Sequence, residues 1–495
     1  MTVLVDRPDD LDRAAVLAVA QGARVELSAD LLERLAARRR AALAALGDGP
    51  DVYGVTTGMG ALSDTRLSVE AQADHSRRLM LARAVGGPPW LSRTETRALL
   101  AVRLRTFLSG DAAVSPELCA WLGTLLEHDV LPAVPRTGSG AAGEILPMAH
   151  AWGHLAGVGR VLAADGSAVP AGPVVDPLSP PRLGPKEGIA LLAGVPTATA
   201  LAVLLAADVR RLVSQSTAVA AAGIVLMGVT RDPYLPAVAR GDDEQAEVLT
   251  RLAAYVGPLA APRHLQAPVS FRVAGPVLAH LLREGARLDQ VADRALQGVG
   301  DSPAYLTTHE GERFVGTAGF HGLDQAAGLD SARTAVVHAA TVGAARLHRM
   351  LDPGTSGLPA QLSADPGPQA GLTPVHKRAV AVVHEVSGWP ATFVSSAETS
   401  QGQEDVQTFA LEAAERLRLA LDAAEQVLAC ELLALHQARL LAPERMAAAR
   451  GGLPALVEQV ADVLPPGTED RPWGEDVERL RALLRSGWAL DPSSP

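Results

Sequence analysis

The chain has 495 residues, 48% hydrophobic and 20% charged, a make-up that belongs to a folded globular protein and excludes a disordered or collagen-like one. Its 44 basic and 55 acidic residues leave a formal charge of -11, with no extended run of Lys and Arg, which argues against a nucleic-acid or anionic-membrane partner. Aromatic residues make up only 3% while Ala and Leu dominate, so the core is expected to be built from helix packed on helix rather than from aromatic-rich sheet.

The opening MTVLVDRPDD has neither the basic region nor the apolar stretch of a signal peptide, and a cytoplasmic protein is expected. Up to about residue 195 short apolar helices alternate with Gly/Pro-rich loops, at Tyr53–Gly60, Val85–Pro89, Pro132–Gly143 and Val169–Pro185, the kind of loop on which a site is displayed. The charge-free run Gly188–Ala207 is broken by Pro196, Thr197 and Thr199, and reads as a buried helix rather than a membrane span. Pro196 then opens a long Ala/Leu/Val helix, Thr197–Met227. Further long helices are expected at Ser331–Met350 and at Leu411–Leu441, where Leu417, Leu421, Leu428, Leu432 and Leu435 recur at helical spacing. The tail adds an amphipathic helix near Asp476–Arg485 and closes on DPSSP, which reads as a frayed end. This predicts a mainly α protein, a long antiparallel helical bundle with a smaller N-terminal mixed domain: residues 1–195 carry the glycine loops, and residues 196–495 form the long-helix bundle and C-terminal helices. Cys119 and Cys430 lie far apart within apolar helical patterns and are expected to be buried, inert thiols.

Two loops carry possible chemistry. Tyr53-Gly-Val-Thr-Thr-Gly-Met-Gly60 places the first of only four tyrosines on a glycine-rich turn that fits neither a dinucleotide nor a Walker phosphate loop. Thr137-Gly-Ser-Gly-Ala-Ala-Gly-Glu-Ile-Leu-Pro147 spells GxGxxG at Gly138, Gly140 and Gly143, but Pro132–Arg136 before it is no strand, so a dinucleotide site is not expected. His150 and His154 follow at i, i+4; without a third ligand they are read as packing or helix-end residues, not as a metal site. No cofactor and no metal are expected.

These loops, together with Pro185-Lys-Glu-Gly-Ile-Ala-Leu-Leu-Ala-Gly194, Ser270-Phe-Arg272, Gly319-Phe-His-Gly322, Ser356-Gly-Leu-Pro-Ala360 and Gln403-Glu-Asp405, resemble the aromatic amino acid lyase family of histidine and phenylalanine ammonia-lyases and related aminomutases. The resemblance runs from Tyr53 to about Leu441. It implies a mainly helical fold and a homotetramer whose sites take residues from more than one subunit. In that family an Ala-Ser-Gly tripeptide cyclises into a methylidene-imidazolone, the electrophile that captures the substrate.

Anchored on Pro147 and His150, the matching tripeptide here is Ala141-Ala142-Gly143. Ala142 has no hydroxyl to lose, so the prosthetic group is not expected; Ser139 is the one nearby hydroxyl. Other family positions differ too: the asparagine of the Asn-Gly-Thr run is Ala193, the tyrosine three residues before the carboxylate-binding arginine is Val269, the asparagine before Phe-His-Gly is Gly319, and the ring-selectivity dipeptide reads Ala82-Arg83. One engineered serine-to-alanine change does not account for all of these.

By the same resemblance Tyr53 matches the β-proton base, Arg272 the grip on the substrate α-carboxylate, and Glu404 the acid facing the substrate side chain, with Phe320 and Met59 on an apolar wall. A tyrosine acts as a base through its phenolate, and an arginine fork suits bidentate carboxylate recognition. Arg83 either points unpaired into the former ring pocket and selects a substrate with a second anionic or strongly polar group, or pairs with Glu404, or turns to solvent. Two functions follow. The first is a β-elimination, or its reverse, on an amino-acid-derived carboxylate without the prosthetic group, as in the betaine lyases related to this family, whose leaving group is already a quaternary ammonium. The second is a catalytically inactive homologue that serves as a binding or assembly partner.

Overall fold

The computed structural model describes residues 1–47, 50–259, 261–394 and 397–490; the terminal DPSSP expected to fray lies outside them. The chain is mainly helical, and its contacts divide it into two compact units: residues 1–205 with 288–330 and 390–415, and residues 206–287 with 331–389 and 416 onward.

The first unit opens on a short parallel pair, Thr2–Val5 beside Arg24–Leu27, linked by helix Arg13–Ala20, whose N-cap Asp12 accepts the Ala15 N–H. That helix packs on Arg93–Leu108, which starts with a capping box between Ser92 and Glu95. Helix Arg93–Leu108 is buried on almost every side, three arginines included. Burial of a guanidinium is tolerated only when its donors are used. Arg97 accordingly donates to the carbonyls of Val19, Ala23 and Leu126, Arg105 to Asp9, and Arg103 to the carbonyls of Ala190 and Ala193. Two hairpins complete the unit, Arg160–Leu162 with Ala168–Pro170 and Ala304–Thr308 with Gly311–Val315. Tyr305 and Phe314 of the second pack on Ala42 and Ala113.

The named elements of the second unit are all helices among the described residues. Its core holds a buried, bidentate ion pair between Arg346 and Glu431, at 2.8 and 2.9 Å. Helix Trp473–Arg485 is fixed by Arg481 and Arg485, both of which bond Asp422 and Glu425.

The long helices fall where the apolar patterns place them, at Pro196–Leu226, Leu323–Leu351 and Ala410–Leu441, and each contributes residues to both units. A fourth, Ala274–Gln297, is not marked in the sequence reading, because Gly275, Pro276 and Gly285 interrupt its apolar run; Leu278, Leu281, Leu288 and Val291 are nonetheless buried. The stretch Glu187–Leu226 is long and apolar enough to cross a membrane by composition, but its most apolar window is 89% buried, which makes it a core helix. Cys119 and Cys430 are both buried, and burial pushes both thiols up, Cys430 to about 12, which keeps them as unreactive thiols.

Candidate functional site

A cavity of about 270 Å³ in the first unit gathers residues from five stretches of chain: Tyr53, Met59 and Gly60; Ala142 and Ile145; Ile189, Leu192, Ala193 and Gly194; Ser302 and Phe320; and Gln403 and Glu404. Each stretch is shaped locally. The Tyr53 turn closes through the Val55 and Thr56 N–H groups on the Val52 carbonyl. Gly54 lies there at φ 68°, and a Cβ on it would meet Ile189 Cδ1 at 2.3 Å, so a side chain is excluded by both conformation and space. The turn brings the Gly60 N–H onto the Tyr53 hydroxyl oxygen at 2.8 Å.

The tripeptide loop is held at each end. Ser139 Oγ donates to the Gly143 carbonyl at 2.9 Å. The Ala142 N–H donates to Glu404 Oε2 at 3.0 Å, and the same oxygen accepts the Thr399 hydroxyl at 3.0 Å. Next in the chain, Glu144 is buried and caps the long helix, accepting the Thr197 and Ala198 N–H groups at 2.6 and 2.7 Å. Burial outweighs those bonds and pushes its carboxyl up to about 7. The Glu144 N–H in turn holds the Gly194 carbonyl, and Arg103 holds that of Ala193 at 2.7 Å, so the wall facing the loop is fixed from behind. On the remaining side, Ser302 Oγ donates to the Thr317 carbonyl and accepts its N–H, both at 3.1 Å. Asp301, just before it, is buried in an ion pair with Lys186.

Of the residues singled out in the sequence, Tyr53, Met59, Phe320, Glu404 and Ala142 line this one cavity. Arg83, the last residue of helix Val69–Arg83, is half-buried beside it, with Nη2 3.8 Å from Met59 Sδ. It forms no ion pair with Glu404 among the described residues. Burial lowers its pKa, while the nearby Tyr53 and Glu404 act in the opposite direction. Arg272 belongs to the second unit, where its Nε donates to the Ala267 carbonyl at 2.9 Å; it does not line the cavity. The two histidines are engaged separately. His150 Nε2 accepts the Gly86 N–H at 2.8 Å, whereas His154 is buried between the rings of Trp121 and Trp152. Ser302, Ile145, Ile189 and Leu192 were not marked as site residues, because apolar residues and a lone serine carry no spacing signal.

The loop residues do not suit a methylidene-imidazolone. Ala142 offers only a methyl group, and Ser139 spends its hydroxyl on Gly143. Nor is there room for a side chain at position 319, where a Cβ would stand 1.9 Å from the Val299 carbonyl oxygen.

A largely helical chain with a tyrosine loop, a tripeptide loop and a carboxylate on one cavity defines an ammonia-lyase type of fold and site. Comparison with known proteins agrees. The family described as aromatic amino acid lyase matches residues 11–461. The chain is 31% identical to a histidine ammonia-lyase of Streptomyces avermitilis, across 95% of this chain and 94% of that one. It is 32% identical to a histidine ammonia-lyase of Deinococcus radiodurans, across 99% and 94%. The structure of a tyrosine aminomutase from Streptomyces globisporus superposes with a TM-score of 0.92 at 25% identity, covering 99% of this chain and 98% of that one. The chain belongs to the aromatic amino acid lyase family, and it is a lyase.

Proposed function

We propose that this lyase releases an amine from an amino-acid-derived carboxylate by β-elimination, or runs the reverse addition, without a methylidene-imidazolone and with Tyr53 as the general base. The observation that carries this reading is the Tyr53 hydroxyl oxygen, on the same cavity as Ala142, accepting the Gly60 N–H at 2.8 Å. That contact fixes the Tyr53 hydroxyl on the cavity, the placement a general base needs. The phenolate takes a proton from the substrate Cβ, the C–H electron pair becomes the Cα=Cβ bond, and the amine leaves with the C–N pair, giving an acrylate and a free amine. No electrophile captures the amine, so a group that departs readily as a neutral molecule, such as a quaternary ammonium, is the expected leaving group.

In this reading the protein is a cytoplasmic homotetramer in which Arg272 of one subunit grips the α-carboxylate at the cavity of another, while Glu404 and Arg83 recognise the rest of the substrate against Phe320 and Met59. Incubating the enzyme with amino acids and betaines and following the conjugated acrylate tests it. Tyr53→Phe should lower turnover at least ~100-fold, the usual worth of a general base, with assembly retained, and Arg272→Ala should act likewise. No product from any carboxylate-bearing candidate favours instead an inactive homologue that binds or assembles.

A further inference from the structure

We propose that Arg83 makes this enzyme selective for substrates that carry a second carboxylate, at the end remote from the α-carboxylate. Its guanidinium is half-buried beside the cavity, and among the described residues its one hydrogen-bond contact is the weak one to Met59 Sδ, a residue of the cavity wall. The buried arginines of the same unit behave differently: Arg97 and Arg103 give their donors to backbone carbonyls and Arg105 to a carboxylate. Arg83 has no such partner among the described residues.

Glu404 is the obvious candidate partner, and one of its two oxygens is engaged elsewhere. Its Oε2 takes both the Ala142 N–H and the Thr399 hydroxyl. Glu404 is near enough to favour the charged form of Arg83, yet the two form no ion pair among the described residues. A guanidinium withdrawn from water without a matched acceptor is costly, and a ligand carboxylate is the acceptor that its planar fork fits best. The position at a helix C-terminus favours a cation, but an exposed arginine would satisfy that preference equally well.

Here the inference rests on the function proposed above: with Arg272 at the α-carboxylate, the Arg83 guanidinium is left to a second carboxylate of the substrate. Met59 and Phe320 line the cavity and offer an apolar wall to the body of such a molecule.

The test is calorimetric binding of two acrylate probes, trans-cinnamate and trans-4-carboxycinnamate, to the full-length protein and to Arg83→Met and Arg83→Gln. The dicarboxylate should bind the parent about tenfold or more tightly than cinnamate, a preference that weakens with added salt and disappears in both variants. Equal affinity of the parent for the two probes overturns the role of Arg83 and leaves the proposed elimination standing; this comparison needs no variant to fold. Retention of the full preference in either variant also overturns it. If neither acrylate binds the parent, this inference and the proposed function fall together.

Discussion

The backbone N–H of Ala142 donates to Glu404 Oε2 at 3.0 Å, and so ties the tripeptide loop to a turn 262 residues further along the chain. In a cyclised imidazolone the corresponding ring nitrogen bears no hydrogen. In the proposed ring-free form Glu404 holds the loop that a ring would otherwise stiffen.

Restoring the missing hydroxyl should not restore the ring. In Ala142→Ser the loop keeps its bond to Glu404 and the wall around Gly319 keeps its shape, so the intact mass of the variant should differ from the parent only by the substitution. A species lighter by two waters, or a new conjugated chromophore, would show that the loop still cyclises.

Gly319→Asn should be destabilising. A Cβ there would stand 1.9 Å from the Val299 carbonyl oxygen and 3.2 Å from Gly300 Cα, and these are backbone atoms that do not swing aside as a flexible side chain would. A loss of about 2 kcal/mol or more is expected in urea denaturation. A variant within ~0.5 kcal/mol of the parent would mean that the 299–300 turn yields freely.

His154 should impose an acid limit on stability. Burial pulls its pKa down to about 4, and Nε2 has no hydrogen-bond partner among the described residues. Because the folded value lies below the unfolded one, the unfolded chain binds more protons as pH falls from about 6.5 towards 4. The contribution is therefore fully present above that window and is lost across it, by about 3 kcal/mol in all. His154→Phe removes this dependence, so it should gain on the parent by about 2 kcal/mol between about pH 8 and about pH 5. A constant difference between the two proteins at both pH values would refute the assignment.

Lys186 and Asp301 should be separable only together. Lys186→Met strips the buried Asp301 carboxylate of its bonded ammonium, leaving only the Arg103 guanidinium to act on it, and should cost about 3–5 kcal/mol, whereas Lys186→Met with Asp301→Leu should recover most of it. Ser302, next to Asp301, lines the cavity, so the single variant should lose substrate affinity as well. Additive losses in the double variant would show that the two charges do not depend on each other.

Much of this molecule is legible in the chain. The Leu417-to-Leu435 spacing marks helix Ala410–Leu441, and Pro196 marks the start of Pro196–Leu226, because both signals act through neighbours on one helix. The glycines around Tyr53 announce a turn for the same local reason, and the ordered motifs identify the family. The short paired strands and helix Ala274–Gln297 are less visible, since two-stranded pairings of three to five residues, or a helix broken by Gly and Pro, take their stability from what packs on them.

The sequence by itself determined that this is a helical member of its family, that position 142 carries no hydroxyl, and that a tyrosine, a glutamate and an extra arginine remain. All of these are properties of residue identity and short-range spacing. Only the tertiary structure decided that Glu404 is engaged by the Ala142 N–H rather than by Arg83, that Ser302 joins the cavity wall, and that Gly319 has no space for a side chain. Each of those outcomes depends on atoms brought within a few ångströms from opposite ends of the chain, and hydrogen bonding and steric exclusion act only at that range.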